Sequence, residues 1–165
     1  MQHTRSSLPA LSLSRIARLF EEAVNEVLVD SLGLEVTLKE VLIDKTPAES
    51  LEVTVIIGLT GDIEGNVFYT FSSEAAAAIS EHAGLEPPEG TKEDRVRVSL
   101  LCEVANMISG RATVGFERFN RECRLTPPAI IEGRAVRMST LGQDKIVLPF
   151  GVDTHPFVIH VAIKS

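Results

Sequence analysis

Two runs rich in β-branched and aromatic residues, Leu51 to Thr60 and Asn66 to Phe71, are separated only by turn residues within TGDIEG. A parallel crossover needs about a dozen residues or more, so a link this short makes the two runs antiparallel neighbours in one sheet. GLTGDIEG is glycine-rich, but it lacks the Gly-Lys-Ser/Thr ending of a phosphate-binding loop and precedes a strand, so it reads as a hairpin turn. A strand over Leu34 to Ile43 precedes the pair, with a turn at Thr46–Pro47. Further strands are expected around Cys123–Leu125, Arg134–Ser139, Lys145–Phe150 and Phe157–Ile163, punctuated by Pro127–Pro128 and Gly142–Gln143.

Helical spacing frames these strands. Ser14 caps a helix carrying Ile16, Leu19, Phe20, Ala23, Val27 and Leu28, with Gly33 as its stop. Ser72 or Ser73 caps the alanine-rich SEAAAAISEHAG, which Gly84 ends. After the loop EPPEGT, Thr91 and Asp94 resemble a capping box that opens a long central helix to about Gly110, with a further piece to about Asn120. The order helix, strands, helix, helix, strands implies an α+β fold of two layers, an antiparallel sheet with helices over one face. VLVDSLGLEVTLKEV echoes FERFNRECRLTPPAI weakly, which suggests two pseudo-repeated halves.

At 165 residues the chain fits one domain, expected over residues 14–165 behind a flexible N-terminus of residues 1–13. A net charge of −7 leaves no basic patch for a nucleic acid backbone. No apolar run is long enough to span a membrane, and the N-terminus lacks the pattern of a secretory signal. Cys102 and Cys123 are too few for a disulfide framework and have no zinc-ligand spacing. The expected setting is cytoplasmic and reducing.

Chemistry concentrates in SLLCEVANMISG, Ser99 to Gly110. Leu101, Val104, Ala105 and Ile108 fall on one side of a helix that advances about 100° per residue. Ser99, Glu103, Asn106 and Gly110 recur at intervals of 4, 3 and 4 residues and form a polar stripe on the other side. An exposed helix face is commonly polar without serving a function. Asn, however, is a poor mid-helix residue, and its amide both donates and accepts, so it holds a water while staying neutral beside an anion. A carboxylate one turn away anchors a partner's cation.

Other candidates carry less. His3, His82, His155 and His160 are scattered without ligand or triad spacing, Cys102 reads as packed, and Arg111 and Arg118 read as solvated helix charges. Glu22 and Asn25 repeat the Glu-x-x-Asn spacing on the first helix, but Arg18 and Val29 replace the serine and the glycine, so that pair reads as an outer face by chance.

Ser99, Glu103, Asn106 and, 21 residues after the last, Pro128 match every interval of the motif of the CheC/CheX/FliY phosphatases of bacterial chemotaxis. NMISG, IIGLTGDIEGNVFYTFSSEAA and LTPPAIIEG resemble that family's flanking blocks, so the resemblance spans about residues 15–163. One full motif resembles the CheX-like members rather than the two-motif CheC. Arg111, where small or polar residues are common, and Pro127 beside the motif proline depart from the pattern.

The resemblance implies a CheC-like fold, a homodimer, and hydrolysis of the aspartyl phosphate of a CheY-like response regulator. It implies that Asn106 orients the attacking water and that Glu103 pairs with the receiver's lysine. Ser99, Gly110 and Pro128 would support the site. The Mg²⁺ would belong to the receiver, so no cofactor of the chain's own is expected. The competing reading is a non-catalytic adaptor that docks a receiver or a flagellar-switch protein. A plain structural dimer module is a third.

Overall fold

The computed structural model describes residues 11–84 and 93–164. Helix α1 spans Leu13–Val24 and widens into a π-helical segment, Asn25–Ser31. The expected apolar stripe, Ile16, Leu19, Phe20, Ala23, Val27 and Leu28, is buried, and Gly33 at φ +70° ends the element. The cap is Ser12 rather than Ser14: its hydroxyl oxygen accepts from the Arg15 N–H, which starts the helix at Leu13. The remainder of the expected flexible N-terminus, residues 1–10, lies outside the described residues.

The strands are β1 (Val36–Leu38), β2 (Leu42–Asp44), β3 (Ala48–Glu49), β4 (Val53–Gly61) and β5 (Gly65–Phe71), then β6 (Cys123–Leu125), β7 (Ala129–Glu132), β8 (Arg137–Met138), β9 (Lys145–Val152) and β10 (His155–Ile163). The main sheet runs β1-β9-β10-β5-β4-β6, with β2 also on β9 and β7 also on β4, and every pairing is antiparallel. The β4–β5 hairpin sits as its short link requires, with Val55 opposite Tyr69 and Ile57 opposite Val67.

Two expected strands differ, and one strand was not expected. Leu34 to Ile43 divides into β1 and β2, which pair with β9 at Phe150–Val152 and Lys145–Val147. The break faces Leu148 and Pro149, and a proline inside a strand cannot donate to the ladder. Arg134 to Ser139 shortens to β8, because Gly133 at φ +120° and Ala135 at φ +59° turn the chain before it. That turn also ends β7, an exposed strand whose pattern gave no sign of itself.

Helix α2 spans Ser73–His82 with Ser72 as its cap, and α3 spans Glu93–Glu117 without interruption. A separate piece beyond Gly110 is therefore absent. Glycine inside a helix costs only about 1 kcal/mol relative to alanine, and Ile108, Ala112 and Phe116 on the inner side are all buried. The capping box proposed at Thr91 lies outside the described residues.

The three helices cover one face of the sheet. Phe71, Phe157 and Phe150 stack across neighbouring strands, with ring centroids 4.6 and 5.6 Å apart. Phe116 of α3 meets Phe20 of α1 edge to face at 6.4 Å. On the other face, Ala48 and Met138 of the small β3–β8 ribbon cover Phe68 and Ala162.

Candidate active site

α3 is the rigid rod on which the site is built. At 1.5 Å per residue its 25 residues extend about 37 Å. Leu101, Val104, Ala105, Ile108, Ala112 and Phe116 are at most 2 % exposed and hold it against α1 and the sheet. That fixes which residues face solvent. Ser99 and Glu103 are exposed, and Asn106 and Gly110 are half-buried on the same side. The stripe expected from spacing is present. Neither Glu103 nor Asn106 is tied by a side-chain hydrogen bond or ion pair among the described residues. Among the described residues a β-carbon added at Gly110 would meet nothing within 4 Å, so the helix surface there is bare of them.

Pro128 lies off the helix, in the connection from β6 to β7. Both strands pair with β4, β6 at Leu59–Gly61 and β7 at Val53–Ile56, and the connection bridges the gap between them. Thr126 clamps it. The Gly58 N–H donates to Thr126 Oγ1 at 2.8 Å, and the Thr126 N–H donates to the Gly58 carbonyl at 3.0 Å. A proline suits this break because no ladder bond is asked of it. The end of β7 meets the first turns of α3, where Glu132, Asp94, Arg95 and Ser99 line a recess of about 350 Å³.

Sequence reasoning missed two members of the exposed face. Met107 is 36 % exposed and Val114 59 %, apolar residues beside Glu103 and Gly110. Their signal was available, since they are seven residues apart and off the buried side. Arg111, on the flank nearer α1, is an ion-pair partner rather than a free surface charge: its Nη1 lies 2.9 Å from Glu26 Oε2.

The remaining candidates do not converge on the stripe. Burial pushes the Cys102 thiol pKa up. Burial also raises that of Cys123, to about 11, with Asp62 adding to the rise against a backbone hydrogen bond from Thr60. Both stay protonated at neutral pH, as packed thiols do. His82 bonds its own helix at the Ala78 carbonyl, and His160 is buried in β10 on the sheet face away from the helices. Glu22 and Asn25 are exposed on α1 and its π-helical extension, apart from the α3 stripe. A second recess, about 530 Å³ beside Leu13, Lys45, Asp62 and Asp144, includes none of the stripe residues. Among the described residues no group of three or more His, Cys, Asp or Glu is placed to hold a metal ion, and no helix is long and apolar enough to cross a membrane.

A family model described as chemotaxis phosphatase CheX matches residues 53–151, which include the whole stripe and Pro128. The CheY-P phosphatase CheX of Thermotoga maritima is 31 % identical over 154 residues, covering 92 % of this chain and 97 % of that protein. Among solved structures, the chemotaxis protein CheX of Desulfovibrio desulfuricans superposes with a TM-score of 0.77 at 23 % identity, over 90 % of this chain and 99 % of its own. A chain of the CheX–CheY–BeF₃–Mg²⁺ complex of Borrelia burgdorferi does so with a TM-score of 0.68 at 26 % identity, over 91 % and 98 %. Fold, matched span and near full-length identity agree: the chain belongs to the CheX family of chemotaxis phosphatases.

Proposed function

We propose that the chain hydrolyses the aspartyl phosphate of a CheY-like response regulator, with Asn106 as the catalytic residue and Glu103 as the docking residue. The observation that carries this reading is the pairing of an uncommitted carboxylate and carboxamide one turn apart on the solvent side of a rigid helix. The T. maritima relative is named for this substrate, and the B. burgdorferi relative is found in complex with CheY, BeF₃ and Mg²⁺.

Phosphoryl transfer passes through a loose transition state, so the work lies in placing the nucleophile in line with phosphorus. The Asn106 amide accepts a hydrogen from the attacking water and adds no negative charge near the phosphoryl oxygens. The water oxygen bonds to phosphorus as the bond to the aspartyl oxygen breaks, releasing the carboxylate and inorganic phosphate. Glu103 pairs with the receiver's lysine and sets the register. The receiver supplies the Mg²⁺, and this chain needs no cofactor of its own.

A homodimer belongs to the same reading. Val41, Leu42 and Ile43, at and before the edge strand β2, are all exposed apolar residues. They are the surface that supports pairing, and Ile43→Lys would reduce the mass measured by light scattering to that of a monomer.

The test is loss of aspartyl phosphate from receiver domains incubated with the wild type, Asn106→Ala or Glu103→Ala. Acceleration by the wild type, abolished in Asn106→Ala with receiver binding retained, supports the reading. Near-normal turnover by Asn106→Ala overturns the role of that residue. Unchanged receiver affinity in Glu103→Ala removes the docking role. Binding by the wild type without faster phosphate loss turns the reading to an adaptor.

A further inference from the structure

Tyr69 is the chain's single tyrosine and lies on β5, between β4 and β10 in the middle of the sheet. Its hydroxyl is 2.6 Å from Ser109 Oγ of α3, and both residues are 0 % exposed. Its surroundings are apolar: Leu101, Ala105 and Ile108 of α3 belong to the same buried cluster as Val55 and Ile57 of β4. Apolar contacts resist separation more than they resist sliding or rolling, because they are non-directional. A buried O–H···O bond has a required length and angle. Apolar packing already decides which side of the rod faces solvent. A buried polar pair of this kind is suited to trimming the remaining roll of some degrees about the axis, as single buried polar groups fix register elsewhere. Ser109 follows Asn106 by three residues, so the anchored turn is also the turn that presents the carboxamide.

We propose that the Tyr69–Ser109 bond is a positioning device for Asn106, one that sets how the carboxamide presents water to the phosphoryl group. This rests on the phosphatase reading above. Side chains lie about 5–6 Å from a helix axis, so a roll of roughly 10° moves Asn106 by about 1 Å. Misplacement of that size can cost about a hundredfold in rate. Glu103 and a lysine are both long and flexible, so their pairing absorbs the same roll. The bond therefore acts on turnover more than on docking.

Tyr69→Phe is the primary variant, because it removes one oxygen while Ser109 can turn its hydroxyl to the Ala105 carbonyl one turn back. The expected result is a folded protein whose kcat for receiver dephosphorylation falls about tenfold while KM stays within about twofold. The double variant Tyr69→Phe/Ser109→Ala should lose no more than Tyr69→Phe, since the two oxygens serve one bond. Unchanged kcat in Tyr69→Phe beside an active wild type, or a rise in KM equal to the fall in kcat, overturns the proposal. An activity-independent readout separates it from the phosphatase reading. The side-chain amide resonances of Asn106 should shift or broaden in Tyr69→Phe while those of Asn25 on the neighbouring helical segment do not. Unmoved Asn106 resonances overturn the positioning role whatever the wild type hydrolyses, and an inactive wild type overturns the phosphatase reading and the catalytic proposal with it.

Discussion

Arg111 of α3 reaches Glu26 on the π-helical extension of α1, with Nη1 2.9 Å from Oε2 and the two side chains 50 % and 49 % exposed. The pair bridges two helices that already share a packed seam at Phe20 and Phe116. Ion pairs this open are screened by water and contribute about 0–1 kcal/mol. Arg111→Ala should lower the unfolding free energy by less than about 1 kcal/mol, with the difference fading in 1 M salt. Urea unfolding at low and high salt measures this. A loss several times larger would mean that the bridge, rather than the apolar seam, sets the angle between the helices.

The same residue marks where sequence reading stops. The buried and exposed sides of α3 were legible because helical periodicity assigns them from spacing alone, as Leu101 and Glu103 show. The hairpin was legible because TGDIEG is too short for anything else. Arg111 was not, because Glu26 is 85 residues away and only the docking of α1 on α3 brings them together. Tyr69 and Ser109 were hidden for the same reason. The division of β1 from β2 depends on which strand lies opposite, and that strand, with Pro149, comes more than a hundred residues later. Strand order gives both sheet flanks the same form, two short strands on one long one, β1 and β2 on β9 and β6 and β7 on β4. That likeness of form does not make the flanks repeats, and the two halves suggested by the sequence echo are not established by it.

His160 makes stability depend on pH. Burial first, and the Lys145 cation second, hold its pKa down to about 4 against the pull of Asp44. Its Nδ1 is buried with no partner among the described residues. Lys145 is itself buried and lies 3.1 Å from Asp44. The unfolded chain protonates His160 near the ordinary value of 6.5, whereas the fold refuses the proton until about pH 4. Stability is therefore complete above pH 6.5 and falls as pH drops through that window. The slope approaches about 1.4 kcal/mol per pH unit. Between pH 6.5 and 5 the wild type should lose about 2 kcal/mol that His160→Gln does not lose. Parallel pH profiles for the two proteins in urea would refute this account. Asp44 adds nothing in that range. Burial raises its pKa, but Lys145 and Thr46 outweigh the rise and hold it below 3.8, so its contribution is lost only in stronger acid.

Gly58 leaves room for the clamp on the motif proline. A β-carbon there would lie 2.8 Å from Thr126 Cγ2 and 2.9 Å from Oγ1. Thr126 is β-branched and accepts the Gly58 N–H, so it cannot yield without giving up that bond. Gly58→Ala should cost about 1–3 kcal/mol by overpacking. Thr126→Ala forfeits the bond but removes the obstruction, so the double variant should be less destabilised than the sum of the two single changes. Additive losses would show that Gly58 is needed for backbone freedom rather than for space.

On the phosphatase reading, Gly110 is where the demands of folding and of docking part most sharply. Among the described residues nothing lies within 4 Å of where its β-carbon would be, and the helix continues past it to Glu117. No packing constraint among the described residues explains a glycine in the middle of α3, where it costs about 1 kcal/mol relative to alanine. The cost has a reason if a receiver's surface comes against the helix there during docking. Gly110→Ala should then raise the melting temperature while raising KM for the phosphorylated receiver about tenfold, equivalent to about 1.4 kcal/mol of lost docking. kcat at saturating receiver should change less, because Asn106 is untouched. A stabilised variant with unchanged KM would place the receiver elsewhere on α3 and leave Glu103 and Asn106 to act without close approach at the bare turn.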